Sequence, residues 1–96
     1  MTVKILIKRK LREAKSSELD ELIRKLRTLA IAQPGYVTGE TLRSLDDPEE
    51  FLVISTWVSV EHWRKWVLNP ERSLIQDKID ILTGEETQYS IYEQEV

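Results

Sequence analysis

The stretch FLVISTWVSVEHWRKW, residues 51–66, holds the most apolar segment of the chain and all three of its tryptophans. Its first half, Phe51 to Val58, predicts a β-strand. Because side chains along a strand point alternately to opposite faces, one face of the sheet is expected to carry Phe51, Val53 and Trp57. The other face is expected to carry Leu52, Ile54 and Val58. Both faces are apolar, so each needs a cover.

The residues before this strand predict a strand, a helix and a second strand. Val3, Ile5 and Ile7 are spaced by two, as in a strand with one buried face. Ser17 followed by Asp20 resembles a capping box, and Pro34-Gly35 ends the helix that begins there. That helix has an apolar stripe formed by Leu19, Leu22, Ile23, Leu26, Leu29 and Ala30. A strand from Tyr36 to Leu45 then turns at Asp46 to Glu50 (DDPEE) and becomes the antiparallel neighbour of residues 51–58.

The residues after the apolar strand predict two helices and a last strand. Ser59 is suited to cap a short helix that runs through about Leu68, and Asn69-Pro70 breaks it and begins another. The second of these helices ends at Gly84, and its buried stripe is expected to consist of Leu74, Ile75, Ile79 and Leu82. A final strand is expected from about Glu86 to Glu93, with Tyr89 and Ile91 on the same face.

The resulting order, β-α-β-β-α-β, predicts an α+β fold of the ferredoxin-like type in a single domain covering residues 1–96. In this sandwich the helices lie on one face of a four-stranded antiparallel sheet. The other sheet face stays uncovered. Since the strand at residues 51–58 is apolar on both sides, we expect a homodimer in which two sheets pack face to face.

Composition excludes several classes of function. The formal net charge of the 96 residues is −3, so there is no overall positive field to attract nucleic acid or an anionic membrane. The short basic run Lys8 to Arg12 (KRKLR) is interpreted as the solvated end of the first strand. The chain has no cysteine, which excludes disulfides, thiolate nucleophiles and cysteine-based metal sites. With an N-terminus that alternates polar and apolar residues, we expect a cytoplasmic protein.

Few groups in the sequence suggest catalysis. His62 is the only histidine, and the acidic residues at 46–50 lie in a predicted turn, so no metal site is expected. The residues 51–58 also lack the basic and glycine-containing signature of an RNA-recognition strand. No nucleophile elbow, phosphate-binding loop or dinucleotide fingerprint is present.

The tryptophans are the most distinctive residues. On a helix that begins near Val60, Trp63 lies at the centre of the apolar stripe, and Trp66 lies about 60° to one side, with His62 as its neighbour. The spacing indicates that Trp63 fills the core, and Trp57, at the end of a strand, is interpreted in the same way. Trp66 fits either the core or the wall of a site.

The segment from Gly35 to Asp80 closely resembles the antibiotic biosynthesis monooxygenase family. The resemblance is carried by a glycine-led strand, the pattern STW.S.E.W..W and the following PER. It implies a dimeric α/β barrel, in which two ferredoxin-like sheets pack together. Known activities of the family are cofactor-independent oxygenation of polycyclic phenols, quinol oxidation and, in a related branch, oxidative haem breakdown.

The resemblance also implies where a ligand would bind. In the family, a tryptophan at the position of Trp66 lines an apolar pocket between the helices and the sheet, so Trp66 and His62 become the candidate catalytic residues. The pocket wall is expected to include Trp66, Trp57, Tyr36, Asn69 and Arg72. The haem-degrading branch has an asparagine on the first strand and a histidine on the last helix. Here the strand reads VKILIK and the helix position is Gln76, so haem breakdown is not expected.

Two functions therefore fit the sequence. The first is a small monooxygenase that needs no cofactor, since an electron-rich phenolate reacts with oxygen directly, and that acts on an aromatic phenolic or quinol-like compound. The second is a non-catalytic dimeric domain of the same fold that binds a small aromatic ligand or has a regulatory role. Turnover with oxygen, as opposed to ligand binding alone, separates them.

Overall fold

The computed structural model describes residues 1–11 and 17–95, which form a four-stranded antiparallel sheet and three helices. Along the chain the elements are β1 (Val3–Lys10), α1 (Ser17–Ile31), β2 (Tyr36–Arg43), β3 (Glu50–Trp57), α2 (Val60–Val67), α3 (Pro70–Thr83) and β4 (Gln88–Glu93). The strand order β2-β3-β1-β4 places β1 and β3 at the centre of the sheet. The predicted ferredoxin-like α+β fold is confirmed.

Polar side chains begin the two C-terminal helices where the sequence predicts. The Ser59 hydroxyl accepts a hydrogen bond from the backbone N–H of His62, and the Asn69 amide oxygen accepts from Glu71 and Arg72. Both interactions satisfy backbone donors that have no partner within the helix. Ser17, in contrast, is itself the first residue of α1, which corrects the capping position predicted for it. Arg12, the end of the predicted basic run, lies outside the described residues.

Two strands are shorter than the sequence predicts. β2 ends at Arg43 rather than Leu45, because the Ser44 hydroxyl accepts from the Asp47 N–H at 3.0 Å and draws the chain into a loop. Leu45 in that loop is 95% exposed. β4 begins at Gln88 rather than Glu86, since the preceding Thr87 hydroxyl donates a hydrogen bond back to Asp80 on α3.

The core lies between one face of the sheet and the helices. From the sheet it contains Val3, Ile5, Ile7 and Trp57; from the helices it contains Leu19, Leu26, Trp63, Trp66 and Ile79. The burial pattern of β1 alternates between buried and more exposed residues, as expected for a strand with one covered face. None of the helices in the described part of the chain is long and apolar enough to cross a bilayer.

The opposite face of the sheet is apolar at its centre and bears no helix in the described chain. Leu6 on β1 pairs with Ile54 on β3, and Leu42 on β2 pairs with Leu52 on β3, so these four side chains share that face. Leu6, Leu52 and Ile54 are half-buried by their neighbours, whereas Leu42 is 46% exposed. Both faces of β3 are therefore apolar.

Gly35 provides a test of how the connection between α1 and β2 is held. Its φ of 85° is in the left-handed region, and a Cβ there would overlap the ring of His62. Gly84 has a similar φ of 74°, but nothing lies within 4 Å of its Cβ position. We expect Gly84→Ala to lower the free energy of unfolding by ~1 kcal/mol through backbone strain alone. Gly35→Ala should lose ~1–3 kcal/mol more, because the His62 ring must also move.

Denaturant unfolding of the two variants checks this comparison. Equal losses of stability would contradict the assigned contact between His62 and the 34–35 turn. Gly35→Ala should lower the free energy of unfolding less in a His62→Ala background than in the wild type. The reason is that the obstructing ring is then absent.

Candidate functional site

A cavity of about 360 Å³ lies between the helix-covered face of the sheet and the helices. This volume is at the lower end of the range of ~300–1,000 Å³ that is usual for small-molecule sites. Its apolar walls come from strands and helices alike: Ile7, Ile23, Leu26, Val53, Trp57, Trp63 and Trp66. Polar groups reach it from β1, β3, α3 and β4: Arg9, Ser55, Arg72, Gln76 and Tyr89. The site is therefore an apolar cleft with a few converging polar groups.

Trp57 is the centre of the aromatic wall. Its ring lies 5.4 Å from that of Tyr36 and 5.8 Å from that of Trp63, edge to face in both pairs. It also stacks on Trp66 at 6.5 Å and an interplanar angle of 24°. The indole N–H of Trp57 donates to the Ser55 hydroxyl at 3.1 Å, which satisfies a polar atom that burial would otherwise leave unpaired.

All three tryptophans are both core residues and cavity walls. Trp57 is 1% exposed, and Trp63 and Trp66 are each 4% exposed. The predicted burial of Trp57 and Trp63 is therefore confirmed. Trp66 was expected to be either a core residue or part of a site wall, and in the structure it is buried and also lines the cavity. In a chain this small, core and cavity share the same aromatic side chains.

Arg72 is held at one end of the cavity by polar and aromatic contacts. Its Nη2 donates to the Tyr89 hydroxyl at 2.6 Å, and its Nη1 donates to the Val67 carbonyl at 3.4 Å. The guanidinium carbon lies 5.9 Å, 6.0 Å and 5.3 Å from the ring centroids of Trp63, Trp66 and Tyr89. Cation–π attraction to these three rings helps to hold this arginine, which is 7% exposed.

The Arg72 contact also determines what Tyr89 offers to a ligand. Because the Tyr89 oxygen accepts from Arg72, its own proton remains available to donate elsewhere. Loss of solvent around the hydroxyl raises the pKa of Tyr89, and this outweighs the opposing effect of the Arg72 and Arg9 charges. The residue is therefore a phenol at neutral pH and serves as a hydrogen-bond donor rather than as a base.

A chain of hydrogen bonds orients Arg9 and Gln76, two further polar residues of the cavity. Arg9 Nη2 donates to the Gln76 amide oxygen at 3.2 Å. The Gln76 amide nitrogen in turn donates to Asp80 at 2.9 Å and to Thr87 at 2.8 Å. Gln76 is 6% exposed, so these bonds orient an amide that could not otherwise remain buried. Burial is the main cause that lowers the pKa of Arg9.

The structure brings together four of the six predicted site residues. Trp66, Trp57, Tyr36 and Arg72 line the cavity, whereas His62 and Asn69 do not. The Asn69 side chain instead caps α3, because its oxygen faces the free N–H groups of that helix. This corrects its predicted place in the pocket wall.

His62 on α2 is half-buried and is not among the residues that line the cavity. Its Nδ1 forms a hydrogen bond of 2.7 Å with the Ser59 hydroxyl, and its ring packs over Gly35. Although His62 precedes Trp66 by four residues, the two side chains do not converge on the cavity. The geometry therefore gives this histidine a local structural contact and no access to the cavity wall.

Arg9 is the residue that the sequence interpretation missed. It was assigned to a solvated basic run, but it continues the spacing of Val3, Ile5 and Ile7 by two and therefore lies on the covered face of β1. Strict alternation along the strand is the signal that could have identified it. Gln76 and Tyr89 are also in the cavity, and the spacing of Gln76 from Arg72 and Ile79 on α3 places all three on one helix face. The described residues contain no cluster of three or more His, Asp or Glu side chains suited to a metal ion.

Comparison with known proteins agrees with the observed fold. A sequence profile described as antibiotic biosynthesis monooxygenase matches residues 2–78. No curated protein matches the sequence. Among solved structures, SnoaB from Streptomyces nogalater, a cofactor-independent oxygenase, is 15% identical with a TM-score of 0.83, over 99% of this chain and 94% of that one.

Two further solved structures have the same fold. A conserved protein from Methanosarcina mazei is 16% identical with a TM-score of 0.87, and the match covers 99% of this chain and 94% of that one. Rv0793 from Mycobacterium tuberculosis is 14% identical with a TM-score of 0.84, over 100% of this chain and 97% of that one. At these identities the likeness establishes the fold alone.

The tryptophans differ in the replacement that each is expected to tolerate. Trp63→Ala removes a buried ring that contacts Trp57, Arg72 and Tyr89, and should destabilise the protein by ~3–5 kcal/mol. Trp66→Phe keeps an aromatic ring against Trp57 and should lose less than ~1.5 kcal/mol. Urea unfolding followed by circular dichroism measures both. A loss as large for Trp66→Phe as for Trp63→Ala would show that Trp66 is indispensable to the core.

Proposed function

Because the chain belongs to the antibiotic biosynthesis monooxygenase family, we propose that it is a cofactor-independent monooxygenase acting on a small aromatic phenol or quinol. The observation that carries this proposal is the cavity of about 360 Å³, which is lined by three tryptophans together with Arg72 and Tyr89. Flat aromatic walls suit a flat aromatic ligand. The converging donors suit an oxygen atom on that ligand.

The residues of the cavity support oxidation in two ways. The nearby guanidinium groups favour the ionised form of a bound phenol, because an adjacent positive charge lowers the pKa of an acid. The Tyr89 hydroxyl, already accepting from Arg72, is free to donate to the resulting phenolate oxygen and to orient it. The aromatic walls keep water away from reactive intermediates.

The proposed reaction needs no bound redox group. A phenolate transfers one electron to dioxygen, and the resulting radical pair combines to form a carbon–oxygen bond and a hydroperoxide. Loss of water from that hydroperoxide leaves a quinone, so one dioxygen is consumed for each quinone and each water formed. The protein binds, orients and excludes solvent, while the substrate supplies the electrons.

We also propose that the protein functions as a homodimer through the open face of its sheet. Leu6, Leu52 and Ile54 form the apolar centre of that face, and Lys4 and Lys8 lie beside it on β1. Packing of two such faces would bury apolar side chains that a monomer leaves partly in water. The interface is expected to exceed ~1,500 Å² in total, which is the scale of specific association.

The alternative is a dimeric ligand-binding or regulatory domain without chemistry. It is favoured by one observation, namely that Glu40 is the only carboxylate among the described residues that line the cavity, and none of them is histidine. Such a site offers few groups to accept a proton. For either function, the cysteine-free composition supports a location in the reducing cytoplasm.

Oxygen uptake distinguishes the two functions. With a panel of naphthols and quinols, the monooxygenase should consume one dioxygen per quinone formed, and Trp66→Phe should change kcat/KM by about tenfold because it reshapes the wall. Leu74→Ala, at a position 66% exposed on α3, is the matched control and should behave as the wild type. Saturable binding of these compounds without oxygen uptake would favour the alternative.

Haem serves as a further substrate in the same experiment. With haemin, an electron donor and catalase present, we expect the Soret band to persist. The reason is that Gln76 supplies an amide where the haem-degrading branch has an imidazole. A steady, catalase-insensitive loss would contradict the assignment to the phenol-oxidising group of the family.

The dimer is tested by light scattering at micromolar concentration, which should give twice the chain mass. Ile54→Lys places a charge at the centre of the open face and should shift the protein toward the monomer by at least tenfold in dissociation constant. Ile81→Lys, the same exchange at a residue 79% exposed on α3, should leave the mass unchanged. A wild-type monomer under these conditions would contradict the proposal.

A further inference from the structure

Arg9 has unused hydrogen-bonding capacity inside the cavity. A guanidinium carries five N–H donors, and the bond that Arg9 makes within the described residues is the one from Nη2 to the neutral amide of Gln76. Its Nε is buried and has no partner there. Arg9 also lines the cavity, and the three remaining N–H groups on its two Nη atoms form no hydrogen bond within the described residues.

No carboxylate of the described chain neutralises Arg9 by direct contact. The nearest candidate, Asp80, is engaged by Gln76 and Thr87 and acts on Arg9 only at a distance. A described ion pair does occur one residue along β1, between Lys10 and Asp47 at 3.3 Å, but it lies at the surface. Arg9 is half-buried, and a cation that has lost part of its water is stabilised by a contacting anion, which a ligand could supply here.

The surroundings of Arg9 add positive charge. Arg27 and Arg72 also line the cavity, and both lower the pKa of Arg9 by repulsion. The carboxylate residue in the cavity lining is Glu40, but it is exposed and pairs with Ile54, so its side chain shares the open face of the sheet. The cavity is thus positive although the whole chain has a net charge of −3. A local excess of this sign in an acidic protein favours anionic ligands over neutral ones.

The other polar groups in the cavity are occupied differently. Arg72 already donates to Tyr89 and to the Val67 carbonyl and lies over aromatic rings, so its position is set by the protein. Tyr89 has a single proton to donate, which suits one ligand oxygen. Arg9 keeps free N–H groups on its Nη atoms, and two parallel N–H groups of a guanidinium match the two oxygens of a carboxylate.

We propose that Arg9 is a specificity-determining residue that binds a carboxylate on the aromatic ligand, separate from the phenolic oxygen that faces Tyr89. The inference rests on the proposed function for the identity of the ring, but it concerns a second group on that ring. The substrate class becomes an aromatic acid that also carries a phenol or quinol hydroxyl. Water bound to the Arg9 Nη groups is the competing explanation, and it predicts no preference for acids.

The experiment compares three ligands of one ring size: 6-hydroxy-2-naphthoate, its neutral amide 6-hydroxy-2-naphthamide, and 2-naphthol. Titration calorimetry measures binding to the wild type, to Arg9→Met and to Lys8→Met. We expect the wild type to bind the acid at least tenfold more tightly than the amide, as for a charge-assisted pair. Lys8→Met removes one positive charge from the exposed side of the same strand and should keep that preference.

Arg9→Met should bring the acid-to-amide ratio close to one, and it should weaken binding of the acid more than binding of 2-naphthol. Arg9→Met also removes the donor to the buried Gln76 amide oxygen, so circular dichroism of the variant precedes the binding measurement. If Arg9→Met fails to fold, Arg9→Lys decides, since it keeps the charge but loses the fork and should lower the ratio several-fold. An unchanged ratio in Arg9→Lys would then overturn the proposal.

Oxygen uptake with the same ligands separates this inference from the proposed activity. Preferential, Arg9-dependent binding of the acid without oxygen consumption supports the carboxylate site and refutes the monooxygenase. Oxygen consumption with acid and amide alike, unaltered by Arg9→Met, refutes the carboxylate site and leaves the monooxygenase standing. Equal binding of acid and amide, or binding of neither, overturns the inference in either case.

Discussion

The packing of Trp57 is the interaction on which the rest of the molecule depends. Its ring is 1% exposed and touches Tyr36, Trp63 and Trp66, so one side chain joins β3 to β2 and to α2. Its N–H bonds to Ser55 two residues earlier on the same strand, which pairs the polar atom without leaving the core. Because the same ring also lines the cavity, the contacts that stabilise this domain also determine the shape of its site.

That coupling follows from the size of the chain. With 96 residues, there is too little interior for a core and a separate pocket, and the aromatic side chains must serve both. The rigidity of the cavity wall is a consequence, since interlocked rings resist displacement more than isolated ones. The sheet face turned away from the helices differs from the cavity wall, because its central side chains are aliphatic and only half-buried.

The polar end of the cavity is organised by hydrogen bonds that run between distant parts of the chain. Arg9 and Gln76 are 67 positions apart, and Arg72 and Tyr89 are 17 apart. Each bond restricts a long side chain that would otherwise move freely. The arrangement positions cations in a low-dielectric space within a protein of negative net charge, which makes the cavity a different electrostatic environment from the surface around it.

The sequence by itself determined the fold, because the change from a period of two to a period of 3.6 residues and the caps at Ser59 and Asn69 are local signals. It also showed that β3 is apolar on both faces. Only the tertiary structure decided which polar residues meet. Arg9 was interpreted as part of a solvated basic run, although its spacing from Ile7 places it on the covered face. His62 was interpreted as a site residue because it precedes Trp66 by four positions, and Asn69 was included in the predicted pocket wall, but neither lines the cavity. The contacts that bring Arg9 to Gln76 and Arg72 to Tyr89 depend on the angle at which α3 crosses the sheet, and no local pattern encodes that angle.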